Sequence, residues 1–316
     1  LGEKIILKQK LKKSIYGQKN GLNIVSEKKI AIVILHGVGD MKFCNPHFAD
    51  VFISKVKDYY QELGGSPTDL VFQPVTWGLP VQHRQDELWD QLTGRGYDLR
   101  LGKARKMMID FIFDGFAYMH HEHPQIRSAY DSIHNLIDES LHEVAEKAGP
   151  DAHLCFVGHS MGTCIIPTYV KLRHFQYASG VKTAINPLEG LQTLEMFYSM
   201  GSPYPWMAIF EDEQDPISKE WVKYGFPMQI NRWVNFYDKQ DILSYPIGFL
   251  NEYYQKAVID VHVDVGSFLT KWNIASHLGY LEDEVVCRPI AHDFYAFLNN
   301  QPYLDPQIEV LSKPSK

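Results

Sequence analysis

Residues 153–162 read His-Leu-Cys-Phe-Val-Gly-His-Ser-Met-Gly. The opening run, His153–Val157, is short and apolar, as a strand covered on both faces requires. Ser160–Phe175 then reads as a helix. Between the two lies Gly158-His159-Ser160-Met161-Gly162, a G-x-S-x-G pattern at a strand-to-helix junction. Such a junction is tight and strained. Its two glycines remove side chains that would collide, and the hydroxyl of Ser160 is held above the sheet edge. The amino end of the helix, with its dipole and free N–H groups, favours the negative charge that develops during acyl transfer. Ser160 is therefore the candidate nucleophile.

Upstream, Ala31–Leu35 (Ala-Ile-Val-Ile-Leu) is a second buried strand, ending at His36-Gly37. Residues 47–63 form an amphipathic helix that stops at Gly64-Gly65. Leu70–Trp77 is a strand, and 80–148 is largely helical with a break at Pro124. Leu194–Met200 is a strand before Gly201-Ser202-Pro203; Trp233–Tyr237 and Val258–Val265 are two more, and His292–Leu298 is the closing helix. Strands interleaved with helices predict an α/β chain with a mostly parallel central sheet and helices on both faces. Ligands of such sheets bind beyond the carboxyl ends of the strands.

The elbow around Ser160, together with His36-Gly37-Val38-Gly39-Asp40 directly after a buried strand, resembles the α/β-hydrolase superfamily and its serine lipases and esterases. Gly201-Ser202-Pro203 after a later strand also recurs in lipase-like relatives. The resemblance covers strand and loop motifs from about 30 to 295. It implies one α/β-hydrolase domain over 1–316, with a helical insertion at 80–120 and a lid-like, aromatic loop at 203–228. It further implies an oxyanion hole made by the N–H groups of Val38 and Met161. His36 and His159 are read as packing residues, and Ser202 as a loop residue without elbow geometry.

A hydroxyl nucleophile needs a base, and the base needs an orienting acid. In this superfamily the chain order is Ser, acid, His. His174 lies about four turns along the helix launched by Ser160, too far to reach it. His262 sits within an alternating strand, and His292 reads as a cap or surface residue at the start of the closing helix. His277, in Ser276-His277-Leu278-Gly279-Tyr280 after the last strand, is where the family's catalytic histidine falls, and its His-x-x-Tyr pattern recurs in relatives. The acid is sought in Asp238-Lys239-Gln240-Asp241-Ile242-Leu243, which resembles the Asp-x-x-Asp-x-Val turn of related hydrolases. That turn points to its second aspartate, Asp241. Asp238, read as part of a solvated turn beside Lys239, is the rival, and Asp264 a third candidate. Ile242-Leu243 is expected to anchor the loop against the core.

Composition narrows the remaining classes. At 45% hydrophobic and 22% charged, the 316-residue chain holds enough apolar surface for a sizeable core and is not a disordered sequence. The net charge of −7 argues against nucleic acid as a partner. No apolar run approaches the ~18 residues of a membrane span. Lys4, Lys8, Lys10, Lys12 and Lys13 read as a solvated edge or a contact with an anionic surface. Four cysteines make no disulfide framework: Cys155 and Cys164 read as core thiols, and a Cys44–Cys287 bridge stays open. His120-His121-Glu122-His123 lacks the H-E-x-x-H spacing and reads as a solvated helix end, so no metal is expected. Gly37-x-Gly39 lacks a third glycine at dinucleotide spacing, so no cofactor is expected.

The expectation is a carboxylic ester hydrolase with a Ser160–His277–Asp241 triad, acting on small-molecule or lipid esters with transient contact at a lipid interface. The same residues would serve a thioesterase, amidase or acyltransferase. A binding protein that has abandoned catalysis is the reading from another class. A cytoplasmic location is expected, with secretion open if a leader is removed ahead of Leu1.

Overall fold

The strand β1 (Ile30–Leu35) is apolar throughout, and each of its side chains is buried. A strand with no polar face needs cover on both sides, and the computed structural model supplies it. It describes residues 29–37, 47–77, 79–95, 124–208, 226–227, 229–266 and 277–307, with single positions between 102 and 118. In chain order β1 is followed by α1 (Asp50–Glu62), β2 (Leu70–Val75), α2 (Leu79–Gly94) and α3 (Pro124–Ala148). Then come β3 (His153–His159), α4 (Gly162–Ala178), β4 (Leu194–Met200) and α5 (Tyr204–Ala208). The series closes with β5 (Arg232–Tyr237), α6 (Glu252–Ala257), β6 (Val258–His262) and α7 (Glu284–Leu298).

The six strands form one sheet in the order β2-β1-β3-β4-β5-β6, and every pair is parallel. Alternate residues of each strand enter opposite cores. Leu154, Phe156, Phe197 and Trp233 pack with Ile137 and Leu141 of α3 and Ile165 and Tyr169 of α4. Cys155, Val157, Tyr198 and Phe236 pack with Phe52 and Val56 of α1 and Ile290 and Phe294 of α7. Two cores, one per sheet face, follow from strands that are apolar on both faces. Among the described residues no helix is long and apolar enough to cross a membrane.

The ends of several elements differ from the sequence reading. β3 runs on through Gly158 and His159, because His159 pairs with Met200 on β4. β6 stops at His262 rather than Val265. The closing helix begins at Glu284, where the Asp283 side chain accepts from the Val285 N–H and supplies the N-cap. His292 is thus inside α7, not at its start, and Pro289 is accommodated within the helix. On that helix Asp293 is buried and takes Arg232 of β5 at two oxygens, 2.8 Å each, and the Tyr198 hydroxyl at 2.9 Å. Cys155, Cys164 and Cys287 are buried and form no disulfide, which excludes the Cys44–Cys287 bridge. Cys44, the amino-terminal lysines and the 120–123 cluster lie outside the described residues, as do 209–225 of the lid-like loop and most of 96–123. Of that loop's aromatics, Tyr204 and Phe226 are buried against Trp233 and Tyr254.

Candidate active site

The carboxyl ends of β3, β4, β5 and β6 lie along one edge of the parallel sheet, and three of the predicted residues meet at the loops that leave it. At the end of β3, Ser160 has φ +53°, a left-handed conformation that costs a non-glycine residue of order 1–2 kcal/mol. The turn persists because its surroundings leave no alternative. The Ser160 N–H donates to the Met200 carbonyl at 3.0 Å, and the Ser160 carbonyl accepts from the Thr163 N–H and hydroxyl at 2.9 and 2.6 Å. A Cβ on Gly162 would lie 2.5 Å from the Leu35 carbonyl oxygen, and one on Gly37 would lie 2.7 Å from the Ser160 Cβ. Gly162 is therefore dictated by backbone packed against the turn, and Gly37 by the side chains of Ser160 and His159. Met161 is the N-cap of α4, so its amide lies among those that the helix does not bond internally. Val38, the other predicted oxyanion donor, lies outside the described residues.

His277 Nε2 is 2.7 Å from Ser160 Oγ, and His277 Nδ1 is 2.7 Å from Asp241 Oδ2. A carboxylate only accepts, so Nδ1 carries the proton and Nε2 is left to accept from the serine hydroxyl. All three side chains are enclosed, Ser160 at 1% exposure. Burial alone would raise the Asp241 carboxyl. Hydrogen bonds and attraction from His277, with the Leu243 amide and the Tyr280 hydroxyl, outweigh it and hold the group below the ordinary carboxylate range. Asp241 is therefore an ionised acceptor at neutral pH.

The neighbouring histidines do different work. His36 is fully buried, stacks on Trp77 and accepts the Trp77 N–H at Nε2, while its Nδ1–H donates to the Gly37 carbonyl at 2.7 Å. Burial lowers it to about 4, so it stays neutral and shapes the loop after β1. His159 donates from Nε2 to the backbone carbonyl of His277 at 2.6 Å. Burial, followed by repulsion from His277, lowers it to about 3. It packs, as expected, but its packing partner is the backbone of the base. His174 pairs with Gln229, and His262 lies against Tyr237 and 3.9 Å from Asp264, whose side chain is largely exposed. Ser202 is buried, with its hydroxyl 2.8 Å from that of Thr163.

Asp238 corrects the sequence reading. It is not in a solvated turn: it is 1% exposed. Its Oδ1 accepts the Gln240 N–H at 2.8 Å and its Oδ2 the Val265 N–H at 3.0 Å. Lys239 beside it gave a false signal of exposure. The expected apolar anchor is half right: Leu243 is buried, but Ile242 is 64% exposed.

Sequence reasoning missed three supports of the Asp241 loop. The Tyr280 hydroxyl donates to Asp241 Oδ2 at 3.1 Å and accepts the Asp238 N–H at 2.9 Å. Burial and Asp241 push its phenol up, so it remains a donor. The His-x-x-Tyr spacing was the available signal. Asp260 of β6 accepts the N–H groups of Ile247 and Gly248 and the side-chain amide of Asn235, which also donates to the Tyr245 carbonyl. These are cross-strand neighbours, Ser199–Asn235–Asp260 in register, and their meeting could be found only after the strand order was known.

No protein-family model matches this chain, and no curated protein matches it. Chemically, the arrangement can take a proton from a serine oxygen and stabilise the imidazolium that results. Among the described residues there is no group of three or more metal-ligand side chains.

Proposed function

We propose that this chain is a serine hydrolase of the α/β-hydrolase fold that cleaves carboxylic esters through an acyl-enzyme. The observation that carries the reading is the unbroken line from Ser160 Oγ through His277 to Asp241, 2.7 Å at each step, on a left-handed nucleophile turn. His277 takes the Ser160 proton as Oγ attacks the ester carbonyl. The N–H of Met161, with that of Val38, receives the oxyanion. Collapse of the tetrahedral intermediate breaks the bond to the alcohol, which leaves with the proton from His277. Water, deprotonated by His277, then cleaves the acyl-enzyme and regenerates Ser160. Asp241 keeps the imidazole in the working tautomer throughout. Small or lipid esters are the proposed substrates, with the 203–228 loop acting as a lid at a lipid interface.

The test is hydrolysis of a p-nitrophenyl acyl series, with and without a detergent interface, beside labelling with a fluorophosphonate. Short to medium acyl chains are expected to be cleaved without added metal, with one label on Ser160. Ser160→Ala should abolish labelling and lower turnover by about 10⁴-fold or more while the fold is retained. Labelling that persists in that variant refutes the nucleophile. Preference for thioesters or amides would keep the triad and change the substrate; chelator inhibition reversed by zinc would revive the 120–123 cluster.

A further inference from the structure

We infer that Asp238 is the joint that sets the Asp241 loop and the His277 loop in register, acting on Asp241 through the Tyr280 hydroxyl. The inference rests on the serine-hydrolase reading and assigns Asp238 and Tyr280 as positioning residues. Three chain segments must agree for the base and acid to meet: the turn after β5, the exit from β6 and the segment that follows His277. Asp238 touches all three. One carboxylate oxygen holds the turn at Gln240, and the other holds the β6 exit at Val265. Its backbone N–H holds the third segment through the Tyr280 oxygen.

Tyr280 then closes the loop. Its single proton goes to Asp241 Oδ2, the same oxygen that receives His277 Nδ1–H. A carboxylate fixed by one bond can swing about it; a second donor on the same oxygen, with the Leu243 amide on Oδ1, leaves one orientation. The Asp241 N–H donates to the Asp238 carbonyl at 3.2 Å, so the two aspartates are also tied through the backbone. Both oxygens of Asp238 face backbone amides of the loops, which makes it a holder of peptide groups rather than a reserve acid. Displacements of about 1 Å in such a frame cost on the order of 100-fold in rate without touching substrate binding.

The experiment compares Asp238→Asn, Tyr280→Phe and the double variant. Tyr280→Phe keeps the buried ring that lies near His159 and His277, and folds if Asp238→Asn does not. Each single variant is expected to lower kcat on a p-nitrophenyl ester by about 10- to 100-fold with KM within about twofold. The double variant should lose less than the product of the two singles, because both act on the placement of one carboxylate, Asp238 through the turn it holds and Tyr280 through its hydroxyl. In proton NMR the low-field His277 Nδ1–H resonance should move upfield in every folded variant. Near-normal kcat in Tyr280→Phe, multiplicative losses in the double variant, or an unmoved resonance overturns the inference. So does a larger loss in Asp238→Asn than in Asp241→Asn, which would make Asp238 the acid. If the wild-type protein neither labels nor turns over, the hydrolase reading fails. The resonance alone then decides the joint, and its absence from the wild type counts against it.

Discussion

The site has two halves, built by different means. The Ser160 half is fixed mainly by main chain: strand register, a left-handed residue and a glycine, Gly162, against which carbonyl oxygens are packed. The Asp241–His277 half is fixed by side chains, with Asp238, Asn235, Asp260, Tyr280 and His159 each gripping a peptide group of a loop or of the base. Main-chain packing leaves one acceptable residue at a position, while a side-chain grip needs only a group of suitable reach. The first kind of construction is rigid and intolerant; the second is adjustable and shared among several residues.

The largest effect that tests this contrast is on the acid itself. Asp241→Asn removes the charge, keeps the shape and should lower kcat by about 10⁴-fold with little change in thermal stability. Steady-state kinetics and a melting curve check both parts. Similar kcat in the variant and the wild type would show that the side-chain half does not contain the acid assigned to it.

A smaller loss is expected on the main-chain side, and in stability rather than rate. Gly162→Ala places a methyl 2.5 Å from the Leu35 carbonyl oxygen, which belongs to backbone and cannot swing aside. A cost of about 1–3 kcal/mol is expected from such overpacking, read as a lower midpoint in denaturant. A variant as stable as the wild type would mean that the turn has slack.

The gentlest probe is pH. His36 on the Ser160 side and His159 on the His277 side are held neutral, at about 4 and about 3 against an ordinary 6.5. Below pH 6.5 the unfolded chain takes up protons that the folded chain refuses, so stability falls as pH drops, until each folded-state pKa is passed. Each contributes about 1.4 kcal/mol per pH unit over its window. Asp293, raised first of all by burial, works in the opposite sense near the bottom of this range. Unfolding free energies measured from pH 6.5 to 4.5 should slope downward toward acid. A flat profile would show that the two rings are not sealed from water.

The same contrast explains what the sequence made legible. Gly158-x-Ser160-x-Gly162 and the all-apolar β1 stand out because steric exclusion and two-sided burial each admit few residue types. Asp241 and His277 were reached through chain order and resemblance, and the structure brings them to Ser160. Asp238 was misjudged because exposure was inferred from the lysine next to it, whereas burial is set by what packs across the loop. Asn235 and Asp260 gave no signal, since a polar residue within a strand announces a partner without saying which strand carries it. α7 starts earlier than expected because the Asp283 side chain caps it at Glu284 and the helix carries Pro289 inside.

Ser160 and His277 are 117 residues apart in the chain, and Asp241 and His277 are 36 apart. The strands between must all be threaded before the serine has a base. On the serine-hydrolase reading proposed above, reactivity of that one hydroxyl is a gauge of cooperative folding: loss of covalent capture along a urea titration should track the unfolding of the whole sheet. A partly folded chain that still holds the elbow but has released its later strands would keep the serine and lose its chemistry.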